Sequence, residues 1–248
     1  MGTAQHGEVV LVHSSDLHLS ADTSFGASQS SDALSVLREV LAAAKTVRAD
    51  LLVLVGDTFD HNRQPSQLLD QAARIMGEFG APIVILPGNH DPLTPDSVYR
   101  HSGLAAASNV CVLGLTVAEA VVFPELGLEV WGRAHLDYSD MSPLLKPPSR
   151  STRWQLAAAH GHYVEGPDEP GRFLGSWLIR REELIASGAD YVALGHWNRA
   201  ARVGDQQIHA YYSGSPDYAG TVNVIRLRRD GAIEVTLVPL RARQHGQQ

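Results

Sequence analysis

Short apolar runs alternate along this chain with longer amphipathic stretches, the pattern of layered α/β structure rather than of a helical bundle or a β-sandwich. EVVLVH (8–13), DLLVLVGD (50–57) and PIVILPGNHD (82–91) each read as a buried strand running into a turn. Between them, DALSVLREVLAAAKTVRA (32–49) reads as a helix with Asp32 placed to cap it. PSQLLDQAARIMGEFG (65–80) reads as a second helix, with Pro65 in its first turn and Gly80 at its end. Right-handed crossovers would lay the three strands parallel.

The second half is less regular. LTVAEAVVF (115–123) and LEVWGRA (128–134) read as paired strands, and WQLAAAHGHY (154–163) as a strand running into a loop. REELIASGADYVALGH (181–196) repeats helix then strand, and VNVIRLRRDGAIEVTLVPL (222–240) is a hairpin turned at Asp230 and Gly231. The Pro- and Gly-rich pieces 139–150 and 164–175 read as loops over one face, too short to link domains. The expectation is one domain over 1–248, with a core at about 8–220 followed by the hairpin.

Charge and cysteine content narrow the chemistry. Twenty Lys and Arg against twenty-seven Asp and Glu give a net charge of −7, which disfavours broad adhesion to nucleic acid while leaving room for a local basic groove. The single Cys111 excludes an internal disulfide framework and a thiolate metal cluster, so any metal site must use N and O ligands. The first twenty residues lack the basic start and apolar core of a signal peptide, and no apolar run approaches the roughly 18 residues of a membrane span. A soluble cytoplasmic protein with no membrane contact is expected.

Polar residues collect where the strands end. SDLH delivers Asp16 and His18, GDTFD delivers Asp57 and Asp60, and GNHD delivers Asn89, His90 and Asp91. Later strands deliver His160 and His162 in HGHY, then His196 and Asn198 in GHWN. Ligands of open α/β sheets bind at the carboxyl ends of strands, so five such deliveries point to one polynuclear site. Carboxylates and imidazoles can hold two divalent ions, with a carboxylate on one strand bridging them and an Asn carbonyl completing a shell. Two ions about 3.5–4 Å apart suit phosphoester hydrolysis.

These motifs resemble the calcineurin-like metallophosphoesterases from residue 8 to about residue 220: Asp-x-His, Gly-Asp-x-x-Asp, Gly-Asn-His-Asp, a later His and a final Gly-His. SSDLHLS, LVGDTFD, LPGNHD, DYVALGH and YYSGSPDY are most similar to the bacterial DNA-repair exonuclease (SbcD-like) branch. The resemblance implies a four-layer α/β sandwich, in which two facing β-sheets are flanked by helices. It implies Asp16, His18 and bridging Asp57 on a first metal, and Asp57, Asn89, His160 and His196 on a second. It gives the first metal one more ligand, the last His of Gly-His-x-His, where this chain has Asn198. A weaker oxygen donor there, or no donor at all, would loosen the first metal and shift the preference from Zn²⁺ toward Mn²⁺ or Mg²⁺, so two divalent ions are expected, Mn²⁺ ahead of Fe, Zn²⁺ or Mg²⁺. His90 takes the role of acting on the leaving oxygen, with Asp60 as the carboxylate that orients its imidazole.

Other polar and aromatic residues have plainer readings. Of the two imidazoles in HGHY, His160 follows the apolar strand directly and is favoured as ligand, leaving His162 as a substrate contact. Asp91 reads as a turn residue, His13 as a packed core residue and His135 as a loop histidine. His61, Asn62 and Arg63 suit either a phosphate or a solvated loop, and RLRRDG (226–231) suits a solvated edge. Tyr211, Tyr212 and Trp197 suit either base stacking or an apolar wall.

The expected function is hydrolysis of a phosphodiester with a nuclease-like substrate, single-stranded DNA or a nucleotide. Little chain follows the hairpin, so duplex-end processing with an ATPase partner is not expected; no oligomeric state is implied. The rivals are a small-molecule phosphodiesterase or phosphomonoesterase, and a catalytically silent binding module that has lost a metal through Asn198.

Overall fold

The computed structural model describes residues 8–21, 32–144, 147–166, 176–205 and 207–240. The first part of the chain runs β1 (Glu8–Ser14), α1 (Ser35–Thr46), β2 (Leu51–Val55), α2 (Ser66–Gly77), β3 (Ile83–Leu86), α3 (Val98–His101) and β4 (Val110–Val112). Strands β1 to β4 pair in parallel, as expected of strands joined by helical crossovers. The second part runs β5 (Ala120–Phe123), β6 (Leu128–Gly132), β7 (Trp154–His160), β8 (His162–Val164), β9 (Leu178–Arg180), α4 (Arg181–Ala186) and β10 (Tyr191–Gly195). It closes with β11 (Ala201–Val203), β12 (Ala210–Tyr212), α5 (Pro216–Ala219), β13 (Thr221–Arg228) and β14 (Ile233–Pro239).

Among the described residues these strands form two six-stranded sheets, ordered β14-β13-β1-β2-β3-β4 and β11-β12-β10-β7-β6-β5. The hairpin is therefore built into the first sheet, with β13 antiparallel to β1. In the second sheet β6, β7, β10 and β12 are parallel, and antiparallel β5 and β11 form the edges.

Period-2 alternation explains the layers. In β7, Leu156 and Ala158 join the large core shared with the first sheet, while Ala157 and Ala159 face a smaller cluster containing Leu184 of α4. In β10, Tyr191 and Ala193 face the shared core and Val192 and Leu194 the other side. Both faces of these strands are covered, so they read as nearly continuous apolar runs. On the first sheet Leu37, Val40 and Leu41 of α1 and Leu68, Leu69, Ala72 and Met76 of α2 complete the core. Each fully buried Leu or Val contributes about 1.5–3 kcal/mol. Two facing sheets with helices outside them give the expected sandwich.

Some local readings change. Helix α1 spans Ser35–Thr46 rather than 32–49, and its cap position is Leu34 without a side-chain cap. Asp32 instead closes the preceding turn, its Oδ1 accepting from Leu34 N at 3.0 Å and its carbonyl from Ser35 N at 3.0 Å. Of 115–123 only Ala120–Phe123 is strand, because Thr116 Oγ1 accepts from Val112 N at 2.8 Å and folds the preceding residues into a turn. After His160 the chain forms β8, parallel to β9, where a loop was expected; Val164 ends that strand and 167–175 lie outside the described residues. No helix among the described residues is long and apolar enough to cross a membrane.

Candidate metal centre

The loops after β1, β2, β3, β7 and β10 meet at one edge, where the two sheets face each other. Backbone bonds lock the first two loops together: Asp16 N donates to Gly56 O at 3.1 Å and His18 N to Asp57 O at 3.0 Å. Asp57 Oδ1 accepts from His90 N at 2.9 Å, tying the third loop in. Across the sheets, His196 N donates to Asp16 Oδ2 at 3.0 Å, and His160 Nδ1–H donates to Val55 O at 3.0 Å. With Nδ1 so committed, His160 presents Nε2 to Asp57 Oδ2 at 3.1 Å and to Asn89 Oδ1 at 3.0 Å.

Potential ligand atoms of Asp16, His18 and Asp57 lie within 4.8 Å of one another, as do those of Asp57, His160 and His196. Asp57 belongs to both groups, which is the geometry of a bridging carboxylate. Asp16 and Asp57 are each 2% exposed. Two carboxylates this deeply buried side by side are unfavourable without positive charge between them, so the donor set fits divalent cations.

The electrostatics carry the same demand. Burial pushes Asp16 up to about 6 against the pull of His160, and the charge on Asp57 adds to the rise. Burial acts on Asp57 in the same direction, but the charge and hydrogen bond of His160 outweigh it and hold Asp57 below the carboxylate range. Burial pulls His160 down, yet Asp57 and Asp16 carry it to about 9. Burial, then the charge on His160, lower His196 to about 4 and keep it a neutral imidazole, the form that ligates metals.

The backbone is strained here. Six non-glycine residues among those described have positive φ, and four are ligand candidates: Asp16 at 54°, His18 at 47°, Asp57 at 52° and His196 at 106°. Such conformations cost about 1–3 kcal/mol each and collect at functional sites. Two glycines make room: a Cβ on Gly56 would lie 1.9 Å from His160 Nδ1, and one on Gly88 would lie 2.2 Å from Asp57 Oδ1.

Asp60 differs from the expected dyad. Its carboxylate accepts from His18 Nδ1 at 3.0 Å and stands 3.9 Å from His90 Nδ1, which instead bonds the Asp60 carbonyl oxygen at 2.9 Å. The side chain thus orients His18, and the backbone orients His90. The rings of His18 and His90 meet edge to face at 4.8 Å.

Asn198 is exposed, its carbonyl accepting from Ser215 N at 3.2 Å, and it lines an open cleft of about 430 Å³ with His162, His196, Trp197, Arg199 and Tyr218. His162 Nδ1 accepts from Trp197 Nε1 at 3.0 Å, which leaves His160 as the imidazole aimed at the carboxylates. His135 follows β6 but is wholly buried: its Nε2–H donates to the His160 carbonyl at 2.9 Å and backs that loop. Asp91 accepts from Gly88 N, Phe59 N and Tyr99 Oη at 2.7, 2.9 and 2.6 Å and is a structural tie. Asn62 is buried, donating to Pro92 O and Thr94 Oγ1 and accepting from Val98 N.

Of the three aromatics weighed for stacking, Tyr212 is fully buried, Trp197 lies flat on it at 4.3 Å, and Tyr211 stacks on Tyr191 at 5.6 Å. They form walls. The aromatic that sequence reading missed is Trp177, which with Tyr138 lines a second open cleft of about 610 Å³ bounded by Asp60, His61, Arg63, Asn89 and His90. No motif in the sequence marks it.

A family model described as calcineurin-like phosphoesterase matches residues 9–199. Among curated proteins, the D component of the nuclease SbcCD of Bacillus subtilis is 27% identical over 242 residues, covering 83% of this chain and 61% of its own length. The protein of the same name in Escherichia coli K12 is 24% identical, covering 83% of this chain and 60% of its own length. The chain thus spans about three-fifths of the curated relatives it matches. A solved structure assigned as a 5'-nucleotidase of Staphylococcus aureus, in complex with alpha-ketoglutarate, superposes with a TM-score of 0.60 at 15% identity, covering 94% of this chain and 54% of that one.

Proposed function

Because the chain belongs to the calcineurin-like phosphoesterase family, whose members are metal-dependent phosphoester hydrolases, we propose that it hydrolyses a phosphodiester, with a nucleic-acid strand end as the leading substrate. The observation that carries this reading is the pair of ligand groups sharing buried Asp57, with His90 beside them lining an open cleft. Asp16, His18 and Asp57 would hold one ion, and Asp57, Asn89, His160 and His196 the other. Mn²⁺ is the proposed metal, because the donors are hard oxygens and imidazoles without thiolate. The ions, when bound, supply Lewis-acid charge to the phosphoryl oxygens and to the attacking water.

The chain's own residues do the remaining work. The carbonyl of Asp60 takes the Nδ1–H of His90, which leaves Nε2 to deliver a proton to the departing oxygen. The carboxylate of Asp60 fixes His18 through Nδ1, so that its Nε2 is the ligand atom. A diester is favoured over a monoester by clefts on two sides, one at His90 and one at His196, because a diester carries a substituent in each direction. The curated relatives, named as components of a nuclease, support a nucleic-acid substrate.

A small-molecule diester is the second reading, favoured by the net charge of −7. Bis(p-nitrophenyl) phosphate and end-labelled oligonucleotides, each assayed with metal-stripped and Mn²⁺-loaded protein, separate the possibilities. The expected result is diester hydrolysis restored by Mn²⁺, with weak cleavage of single-stranded or frayed ends that fades as salt rises. Efficient diester hydrolysis with every oligonucleotide left intact at low salt would remove the nuclease reading. Absence of hydrolysis with any phosphodiester would remove the function.

A further inference from the structure

We infer that the cleft on the His90 side takes a flat ring of the nucleobase kind, carried by the same molecule as the phosphoryl group, and that Trp177 and Tyr138 are the residues that select it. The inference deepens the phosphodiesterase reading and rests on it for the identity of the phosphoryl site.

Trp177 is placed with unusual care for a residue in an irregular stretch. Its φ of 55° lies in the left-handed region that a bulky side chain rarely adopts. Three hydrogen bonds hold it there: its N–H donates to Asp140 Oδ1 at 2.6 Å, its Nε1–H to Ser139 O at 3.0 Å, and its carbonyl accepts from His162 N at 2.8 Å. Its ring meets His135 at 5.5 Å and His196 at 5.8 Å, both edge to face. The indole is therefore locked between a ligand candidate and the cleft while remaining only half-buried. Strain of this kind persists where surrounding structure imposes it for use.

Tyr138 supplies the second ring. It is 61% exposed at the cleft rim, in the 137–140 segment whose Ser139 and Asp140 anchor Trp177. A half-buried indole and an exposed phenol around about 610 Å³ make a space of nucleotide size, which His90 and Asn89 also line. Stacking on such rings tolerates every base, because each has a π-face, and is strong enough for about tenfold in affinity. Selection by stacking is for a ring rather than for a sequence.

The test compares adenosine 5'-monophosphate with ribose 5-phosphate by titration calorimetry on the Mn²⁺-loaded full chain. The two ligands share the phosphate and differ in the ring. Adenosine monophosphate is expected to bind about tenfold more tightly. Trp177→Ala and Tyr138→Ala should each shrink that ratio toward one, leaving ribose 5-phosphate affinity and metal content within about twofold; Trp177→Phe should retain most of it. Equal binding of the two ligands by the parent protein, or an undiminished ratio in Tyr138→Ala and in any foldable Trp177 variant, would overturn the inference. Chromogenic diester hydrolysis by the same preparation keeps the two proposals apart. Hydrolysis without ring preference removes this one alone, and ring preference without hydrolysis removes the phosphodiesterase reading alone.

Discussion

His90 and Asn198 carry the sharpest expectations at the scale of single residues. His90 bonds the Asp60 carbonyl and, although its ligand atoms also group with those of His18 and Asp60, lies outside the two ligand groups that share Asp57. His90→Ala should therefore lower turnover by at least about 10²-fold while bound metal, measured by elemental analysis, stays near the parent value. Parallel loss of metal and rate would make His90 a ligand instead. Asn198 sits exposed at the mouth of the cleft that includes His196. If its amide oxygen contributes to the first ion, Asn198→His should raise Zn²⁺ retention relative to Mn²⁺, and Asn198→Ala should weaken one ion while sparing the other. Unchanged stoichiometry and selectivity in both variants would place Asn198 outside the centre.

At the scale of elements, Asp91 ties three of them together. It joins the Gly88 turn after β3, the Phe59 turn after β2 and Tyr99 of α3, all in a buried setting. Asp91→Ala leaves two buried N–H groups and a phenol without their acceptor, and should cost about 3 kcal/mol or more in urea unfolding. A loss below about 1 kcal/mol would mean that water takes over the bonds. The same scale shows what the sequence could reveal. Short, wholly apolar runs such as LLVLV and IVIL announced β2 and β3, and the polar residues following them announced the loops that meet. The three-residue strands β4, β8, β9, β11 and β12 were illegible, because three residues hold too little alternation to separate strand from loop. Asp60 was legible as a carboxylate set beside an imidazole, but which imidazole it bonds depends on how the loops after β1 and β2 lie against each other. Trp177 was illegible for a related reason: its meaning comes from Asp140, His135 and His196, all distant in sequence.

At the scale of the molecule, the two sheets are pinned by a polar contact within an apolar interface. His13 of β1 lies 3.0 Å from Tyr191 Oη of β10, and Asn223 of β13 reaches both. Burial pushes His13 down to about 3. Below about pH 6.5 the unfolded chain gains a proton on this imidazole that the folded chain refuses, so its contribution destabilises the fold as pH falls from 6.5 toward 3. Thermal unfolding of the parent and of His13→Gln across that range should therefore converge on acidification, as the parent loses ground faster. Parallel curves would show that His13 does not titrate differently in the two states.

The bond between His196 and Asp16 spans 180 residues, and that between His160 and Val55 spans 105. The ligand set that includes Asp57, His160 and His196 is therefore drawn from both halves of the chain, and no early fragment emerging during synthesis can contain it, whereas Asp16, His18 and Asp57 all lie near the start. Capture of the ion at that second set becomes a late event in maturation, after long-range loop closure has been completed. In stopped-flow refolding, a fluorescent chelator should see the second equivalent of Mn²⁺ withdrawn only with the slowest phase, after most helical signal has returned. Withdrawal of both equivalents in the earliest phase would mean that the second set does not need His160 and His196 to hold its ion.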